Sequence, residues 1–388
     1  MSPPESAQAE YRALRQWLLT DALPRWARDG YDPIHGGFHE KLTAAGPVAD
    51  LPRRARVQVR QIYTFARAMR LGWDSAQAQH LVSAGVEYFL RHYRRADGLF
   101  RTLVAADGSV LDERVFLYDQ AFVLLALAEC QKIGGPDPEL IVTARELCQA
   151  LHRHLSAPGP GFFSGLPDTL PLLSNPHMHL LEAALSWCSV SDEAVWRTLA
   201  DEIVALALRH FIDARTGALR EQFDRQWRPL PGVAGRLVEP GHQFEWSWLL
   251  LCWRSAIETD ALQAARRLAQ IGETYGVRAD VAINELLDDF NIHNAEARLW
   301  PQTERLKAAV RLAATTGESG YWQVATKAAV GLRRYLRSDA PGLWHDRLKA
   351  DGQFVIEPAP ASSFYHIICA IGEFGDGLMS LPAVAAAQ

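Results

Sequence analysis

Three histidines, an arginine and two glutamates stand out by position. His179, His242, His366, Arg60, Glu245 and Glu304 each fall near the start of a mostly apolar helical segment. An imidazole titrates near ~6.5, so at neutral pH it can both take up and give back a proton. An arginine beside it can hold an oxyanion that develops as the proton leaves. Tyr118, Asn175, Arg236 and Trp300 occupy matching places and add hydrogen-bonding groups and an aromatic face. These residue types suit acid–base chemistry on a small polar molecule. Setting so many polar groups into apolar segments costs stability, which points to a site rather than to packing.

The other histidines (His35, His39, His80, His92, His152, His154, His210, His293 and His345) read as caps or satisfied packing residues. A metal centre is not expected. His152 and His154 lie on a striped helix, where i and i+2 point apart, and His177-x-His179 shows no nearby carboxylate pair in the sequence. There is no H-E-x-x-H, no phosphate loop ending in Lys-Ser/Thr and no G-x-S-x-G elbow, so neither a metal nor a nucleotide cofactor is called for.

A repeat positions these residues. Taking Gly37, Gly98, Gly161, Gly217, Gly276 and Gly342 as anchors, glycine-marked loops recur 56 to 66 residues apart, the Gly276 unit matching least well. Before each glycine lies a striped helix: 8–28, 78–95, 139–155, 195–211, 260–275 and 320–338. In the fourth, Trp196, Leu199, Ala200, Ile203, Val204 and Ala207 fall on one face. After each glycine comes a turn-rich stretch and then a second helix, at 57–71, 117–130, 178–189, 244–256, 304–314 and 363–372. Most of these are apolar nearly all round and must be buried on every side; the first and fifth carry more charge. Six striped helices alternating with six buried ones predict an all-α (α/α)6 barrel, one domain over 1–388. An open solenoid of helix pairs would instead need polar capping repeats. DG turns inside alternating stretches such as LWHDRLKADGQFVIE predict short β-hairpins on one rim. Residues 14 to 28 positions past each anchor then converge on one mouth of the barrel, and the residues singled out above are among them.

The bulk properties limit the partners. A net charge of −5 and a pI near 6.2 argue against nucleic acid. The five cysteines are odd in number, scattered and in apolar contexts, which suits a reducing compartment. No signal peptide is apparent, and no apolar run is long enough to span a bilayer. The expectation is a cytoplasmic protein, monomer or homodimer, with a small-molecule partner.

The segments VQVRQIYTFARA (57–68), LYDQAF (117–122), NPHMHLLEA (175–183), GRLVEPGHQFEW (235–246), LWPQTERLKA (299–308) and PASSFYHI (360–367) carry a resemblance. Taken together, one per repeat and in order, they resemble the N-acylglucosamine 2-epimerase superfamily. EPGHQFEW and PASSFYHI are most similar to its mannose isomerase and mannose 2-epimerase branch. The resemblance implies the (α/α)6 barrel independently. It makes His242 and His366 the acid–base pair, His179 and Arg60 the groups that hold and polarise a substrate carbonyl, and Tyr118, Asn175, Arg236, Glu245, Trp300 and Glu304 sugar-binding positions. Ser362 departs from relatives such as sulfoquinovose isomerases, which carry a glutamine there.

The implied reaction is metal-free isomerisation of D-mannose to D-fructose, extending to D-lyxose, through a cis-enediolate. A 2-epimerase acting on mannose, glucose or an N-acylglucosamine would use the same intermediate. A glycoside hydrolase on the same barrel would use two of Asp119, Glu245 and Glu304, and would leave the three histidines idle.

Overall fold

Each repeat turns on a left-handed residue, with a second beside it at Gly36 in the first repeat and Ala279 in the fifth. The computed structural model describes residues 3–253 and 259–381, and in it Gly37, Gly98, Gly161, Gly217 and Gly342 all have φ between +73° and +85°. Gly276 does not belong to this set. In the fifth repeat the turn is made by Asp280, at φ +65°, between the paired residues Val277 and Ala282. Aspartate tolerates this region better than most side chains. With Asp280 in place of Gly276 the turn residues lie 56 to 63 apart, a tighter repeat than the glycines alone indicate.

A glutamine on the following helix locks the turn. The Gln58 side chain accepts from Phe38 N at 2.7 Å and donates to Phe38 O at 2.8 Å. Gln120 does the same with Phe100, Gln243 with Leu219 and Gln302 with Ala282. In the third repeat His177 Nε2 accepts from Phe162 N at 3.0 Å. Each clamp satisfies backbone groups that would otherwise be buried without partners.

The striped helices are α1 (Pro3–Trp17), continued through a π turn into α2 (Leu23–Asp29), then α4 (Ser75–Tyr93), α6 (Pro138–His154), α8 (Ala194–Leu206), α10 (Thr259–Gly276) and α12 (Ser319–Leu336). Between them run α3 (Ala55–Arg70), α5 (Leu117–Gln131), α7 (Ser174–Cys188), α9 (Pro240–Trp253), α11 (Leu299–Thr316) and α13 (Phe364–Met379). The latter six pack each on the next, and α13 packs back on α3, so the ring closes. The fold is an (α/α)6 barrel. Three inner helices start four or five residues before the expected positions: α7 at 174, α9 at 240 and α11 at 299. Their polar first turns read as loop, but Pro240 suits a first helical position and Pro176 and Pro301 still lie in the first turn, where no helical acceptor is lost. The expected end of the fourth inner helix, 254–256, lies outside the described residues. Asp74 and Asp137 cap α4 and α6 by accepting backbone N–H bonds, and Gly317, left-handed at φ +73°, ends α11.

The rim repeats the cycle in miniature. The two-residue strand ahead of each inner helix pairs antiparallel with the hairpin of the next repeat: Arg53 with Val104, Val115 with Leu166, Leu172 with Phe223, Leu237 with Leu287 and Arg298 with Arg347. Pro360 pairs with Lys41 and joins the last repeat to the first. Every inner helix is thereby tied at its N-terminus, and the six first turns face one opening. Among the described residues no helix is long and apolar enough to cross a membrane.

Candidate active site

At that opening lies a cavity of about 340 Å³, lined by Arg60 from α3, Tyr118 from α5, Asn175 and His179 from α7, His242 and Glu245 from α9, Trp300 from α11 and His366 from α13. The cyclic rim brings these eight together from six separate segments. Trp300 neighbours both expected acid–base residues, its ring centroid 5.0 Å from that of His242 and 5.9 Å from that of His366. Arg60 donates to the Tyr118 hydroxyl at 2.6 Å and to Ser362 O at 3.2 Å, with its guanidinium 4.0 Å above the Phe122 ring. Several buried atoms here have no protein partner: Arg60 Nε, Asn175 Oδ1 and both Glu245 carboxyl oxygens. Unpaired donors and acceptors around a small cavity match a polyhydroxylated ligand.

Two expected sugar-binding residues are placed elsewhere. Arg236 stands outside the cavity lining, in a short 3-10 turn, where it is 42 % exposed and paired with Asp288 at 2.7 Å and Asp289 at 3.0 Å. The acidic turn after Leu287 holds it on the outer rim. Glu304 is fully buried behind His366, with Oε1 2.9 Å from His366 Nδ1 and Oε2 2.7 Å from Lys307 Nζ. It orients a histidine rather than a sugar hydroxyl. Asp119 is buried too, held by Arg56 at 2.7 Å and by the Thr102 hydroxyl at 2.7 Å.

Each histidine has a carboxylate on Nδ1, and the partners' surroundings differ. Glu221 Oε2 lies 2.9 Å from His242 Nδ1; its other contacts are the neutral donors Ser174 Oγ and Glu239 N. Burial opposes charge on His242, but Glu221 and Glu239 outweigh it and lift the ring to about 10. Glu304, beside His366, is already paired with Lys307. Burial, reinforced by Arg60 and Lys307, pushes His366 well below the usual imidazole range. His179 is held at about 4 by burial, against the pull of Glu182, whose Oε2 is 3.3 Å from His179 Nδ1 and also accepts from Tyr365. Burial, with Glu304 adding to it, raises the Glu245 carboxyl well above its usual range. At neutral pH the cavity therefore presents an imidazolium at His242 and neutral imidazoles at His179 and His366, beside a Glu245 carboxyl whose proton is held more tightly than usual. With Nδ1 engaged, Nε2 of His366 is the ring nitrogen left to act as base.

The carboxylate pair that the sequence did not reveal near His179 exists: His179, Glu182 and Glu245 bring ligand atoms within 4.8 Å of one another, as do Glu221, Glu239 and His242. Both clusters have the composition of a divalent-metal site. Part of each cluster is already engaged, since Glu182 serves His179 and Tyr365 and Glu221 serves His242, while the Glu245 oxygens carry no hydrogen bond.

The supports were not anticipated. Glu221 follows the Gly217 turn, and Glu182 and Lys307 lie inside helices that otherwise read as packing. A usable signal existed at Glu182 and Lys307: each stands three residues after a site residue, His179 and Glu304, and so shares its helix face.

Comparison with known proteins agrees with this fold. The profile of the N-acylglucosamine 2-epimerase (GlcNAc 2-epimerase) family matches residues 36–370. A mannose-6-phosphate isomerase of Rhizobium meliloti (strain 1021) is 46% identical over 374 residues, 94% of this chain and 96% of that protein. Among solved structures, a cellobiose 2-epimerase from Spirochaeta thermophila DSM 6192 superposes with TM-score 0.86 at 20% identity, covering 97% of this chain and 98% of its own. A D-mannose isomerase superposes with TM-score 0.82 at 20% identity, covering 95% and 97%.

Proposed function

The chain belongs to the N-acylglucosamine 2-epimerase family, a sugar isomerase or epimerase, and from that premise we propose that it interconverts D-mannose and D-fructose, with D-lyxose as a further substrate, by metal-free proton transfer. The observation that carries this reading is the pair of differently charged histidines that line one cavity and share Trp300 as a neighbour.

In the open-chain aldose the C2 proton is acidified by the C1 carbonyl. His366 Nε2 removes it, and the C–H electrons form the C1–C2 double bond of a cis-enediolate with its charge on O1. Arg60 and the His242 imidazolium stabilise that oxygen in a water-poor cavity, where such contacts count most. Passing the O2 proton to O1 and returning the His366 proton to C1 leaves the ketone at C2. Glu245, whose affinity for a proton is raised by burial, is suited to protonating the ring oxygen during ring opening, and Trp300 offers a face for the sugar.

The same groups favour isomerisation over epimerisation. Epimerisation needs a second group that readily hands a proton to the opposite face of C2. General acids work best when their pKa lies near the operating pH, and an imidazolium held to about 10 by two carboxylates is a fixed donor to oxygen instead. A hydrolase has less support: of Asp119, Glu245 and Glu304, Glu245 alone lines the cavity.

A 6-phosphate ester of the same sugar is the second reading. Lys41 and Arg298 line the cavity mouth without a carboxylate at ion-pair distance among the described residues, whereas Arg54 and Arg347 are paired with Glu40 and Glu357.

The test is turnover and binding in His366→Asn and His242→Asn. Each is expected to lose at least roughly 10²-fold in kcat while calorimetry still detects sugar binding; near-wild-type turnover in both overturns the proposal. Running the assay on mannose and on its 6-phosphate separates the two substrate readings by their kcat/KM ratio.

A further inference from the structure

A lysine with no solvent exposure lies directly beneath the cavity. Lys307, one helical turn after Glu304 on α11, places Nζ 2.7 Å from Glu304 Oε2 and 3.6 Å from the centre of the Trp248 ring. Its remaining neighbour at this range is Cys369 Sγ, 3.9 Å away. The ammonium reaches no cavity atom and does not line the site, so it cannot act on a bound sugar directly. Its bonded route to the reaction is a relay, Lys307 to Glu304 and Glu304 Oε1 to His366 Nδ1, and its charge also acts through space on His366 and Glu245.

The two histidine–carboxylate pairs make the consequence visible. Glu221 meets no second cation and its histidine is charged; Glu304 meets Lys307 and its histidine is neutral. We propose that Lys307 is a positioning residue that neutralises Glu304, so that this carboxylate orients His366 without drawing a proton onto it. The proposal rests on the reading of His366 as the base.

The other groups facing His366 do not replace this function. Arg60 from α3 is a second cation, but one that also serves the cavity. From α7 come neutral His179 and Glu182, and from α9 charged His242 and Glu245 with its tightly held proton. Tyr118 on α5 is bonded to Arg60, and on α1 Tyr11 meets Phe374, two turns further along α13. Without Lys307, Glu304 would have no ion-pair partner other than His366 among the described residues.

The experiment compares wild type, Lys307→Met, Lys307→Arg and Glu304→Gln/Lys307→Met by the pH dependence of kcat/KM and by 15N NMR of the labelled histidines. In Lys307→Met, His366 should appear as imidazolium at pH 7, and the acid limb should move up to about pH 8, a rate loss of about tenfold at pH 7 recovered at higher pH. Lys307→Arg should keep the wild-type limb. The double variant, lacking both charges, should return His366 to the neutral form. An unshifted limb with neutral His366 in folded Lys307→Met overturns the proposal. If that variant does not fold, a raised limb in the double variant overturns it. The NMR readout stands even where turnover is lost: a neutral His366 in an active Lys307→Met counts against the relay, whereas full activity in His366→Asn counts against the underlying reading.

Discussion

Three similar imidazoles acquire different chemistry from what stands behind them. In the proposed mechanism His242 is made an acid by Glu221, His366 a base by a carboxylate that is already paired, and His179 a neutral hydrogen-bonding group by burial. The sign of each effect fixes its pH dependence. The folded-state value of His242 is raised, so the stability contributed by its carboxylate pair is fully present below the ordinary imidazole value and is lost as pH rises through about 10. Its donor function disappears over the same range. Glu221→Gln removes the charge that holds the proton, so the alkaline limb of kcat/KM should move to lower pH by at least about one unit, as a pH–rate profile on both proteins would reveal. An unmoved limb would mean that Glu221 does not govern His242. The residues that do this work are the ones sequence reading missed. His179, His242 and His366 were recognisable because the repeat aligned them, but a buried carboxylate such as Glu221 looks like any loop acid until its partner is known. Glu304 was recognised as important and assigned the wrong contact, because its position on α11 alone does not say whether it faces the cavity or a neighbouring side chain.

The element that repeats is a left-handed turn clamped by a glutamine. At Gly37 a Cβ would come 2.5 Å from Tyr88 Cε1 and 2.9 Å from Gln58 Oε1, on a backbone at φ +73°. Gly37→Ala should therefore lose about 1–3 kcal/mol from backbone strain and more from the clash, whereas Gly134→Ala, at φ +77° with open space around it, should carry the strain alone. Urea denaturation of the two variants checks this, and equal losses would contradict it. Glycine spacing made five of these turns legible; the sixth was misassigned to Gly276 because Asp280 makes the same turn without a glycine. Helix type was legible from the stripes. Charge misled at α11, which read as a poor inner helix although Arg305 and Lys307 are buried, the one paired with Glu273 at 2.5 Å and the other with Glu304. The α7, α9 and α11 starts were set late because Asn175, His242 and Trp300 read as loop residues when they form first helical turns.

At the scale of the whole molecule, ring closure makes the site. No single repeat carries more than two of the eight inner-helix residues at the cavity, and the α13–α3 contact and the Pro360–Lys41 pairing bring the last repeat's His366 back to the first repeat's Arg60. A closed barrel was legible from six near-equal periods, since an open array would have shown polar ends. The outer position of Arg236 was not legible, because it depends on Asp288 and Asp289 in the next repeat's hairpin. The central claim is that one neutral histidine moves a proton between adjacent carbons without a metal. Incubating EDTA-treated protein with D-mannose in deuterium oxide and reading the products by NMR tests it most directly. The account predicts undiminished turnover, D-fructose as product and solvent deuterium at C1 of the ketose to the extent that the base exchanges its proton. Loss of activity on chelation that returns with a divalent metal, or a 2-epimeric aldose as the product in place of ketose, would contradict it.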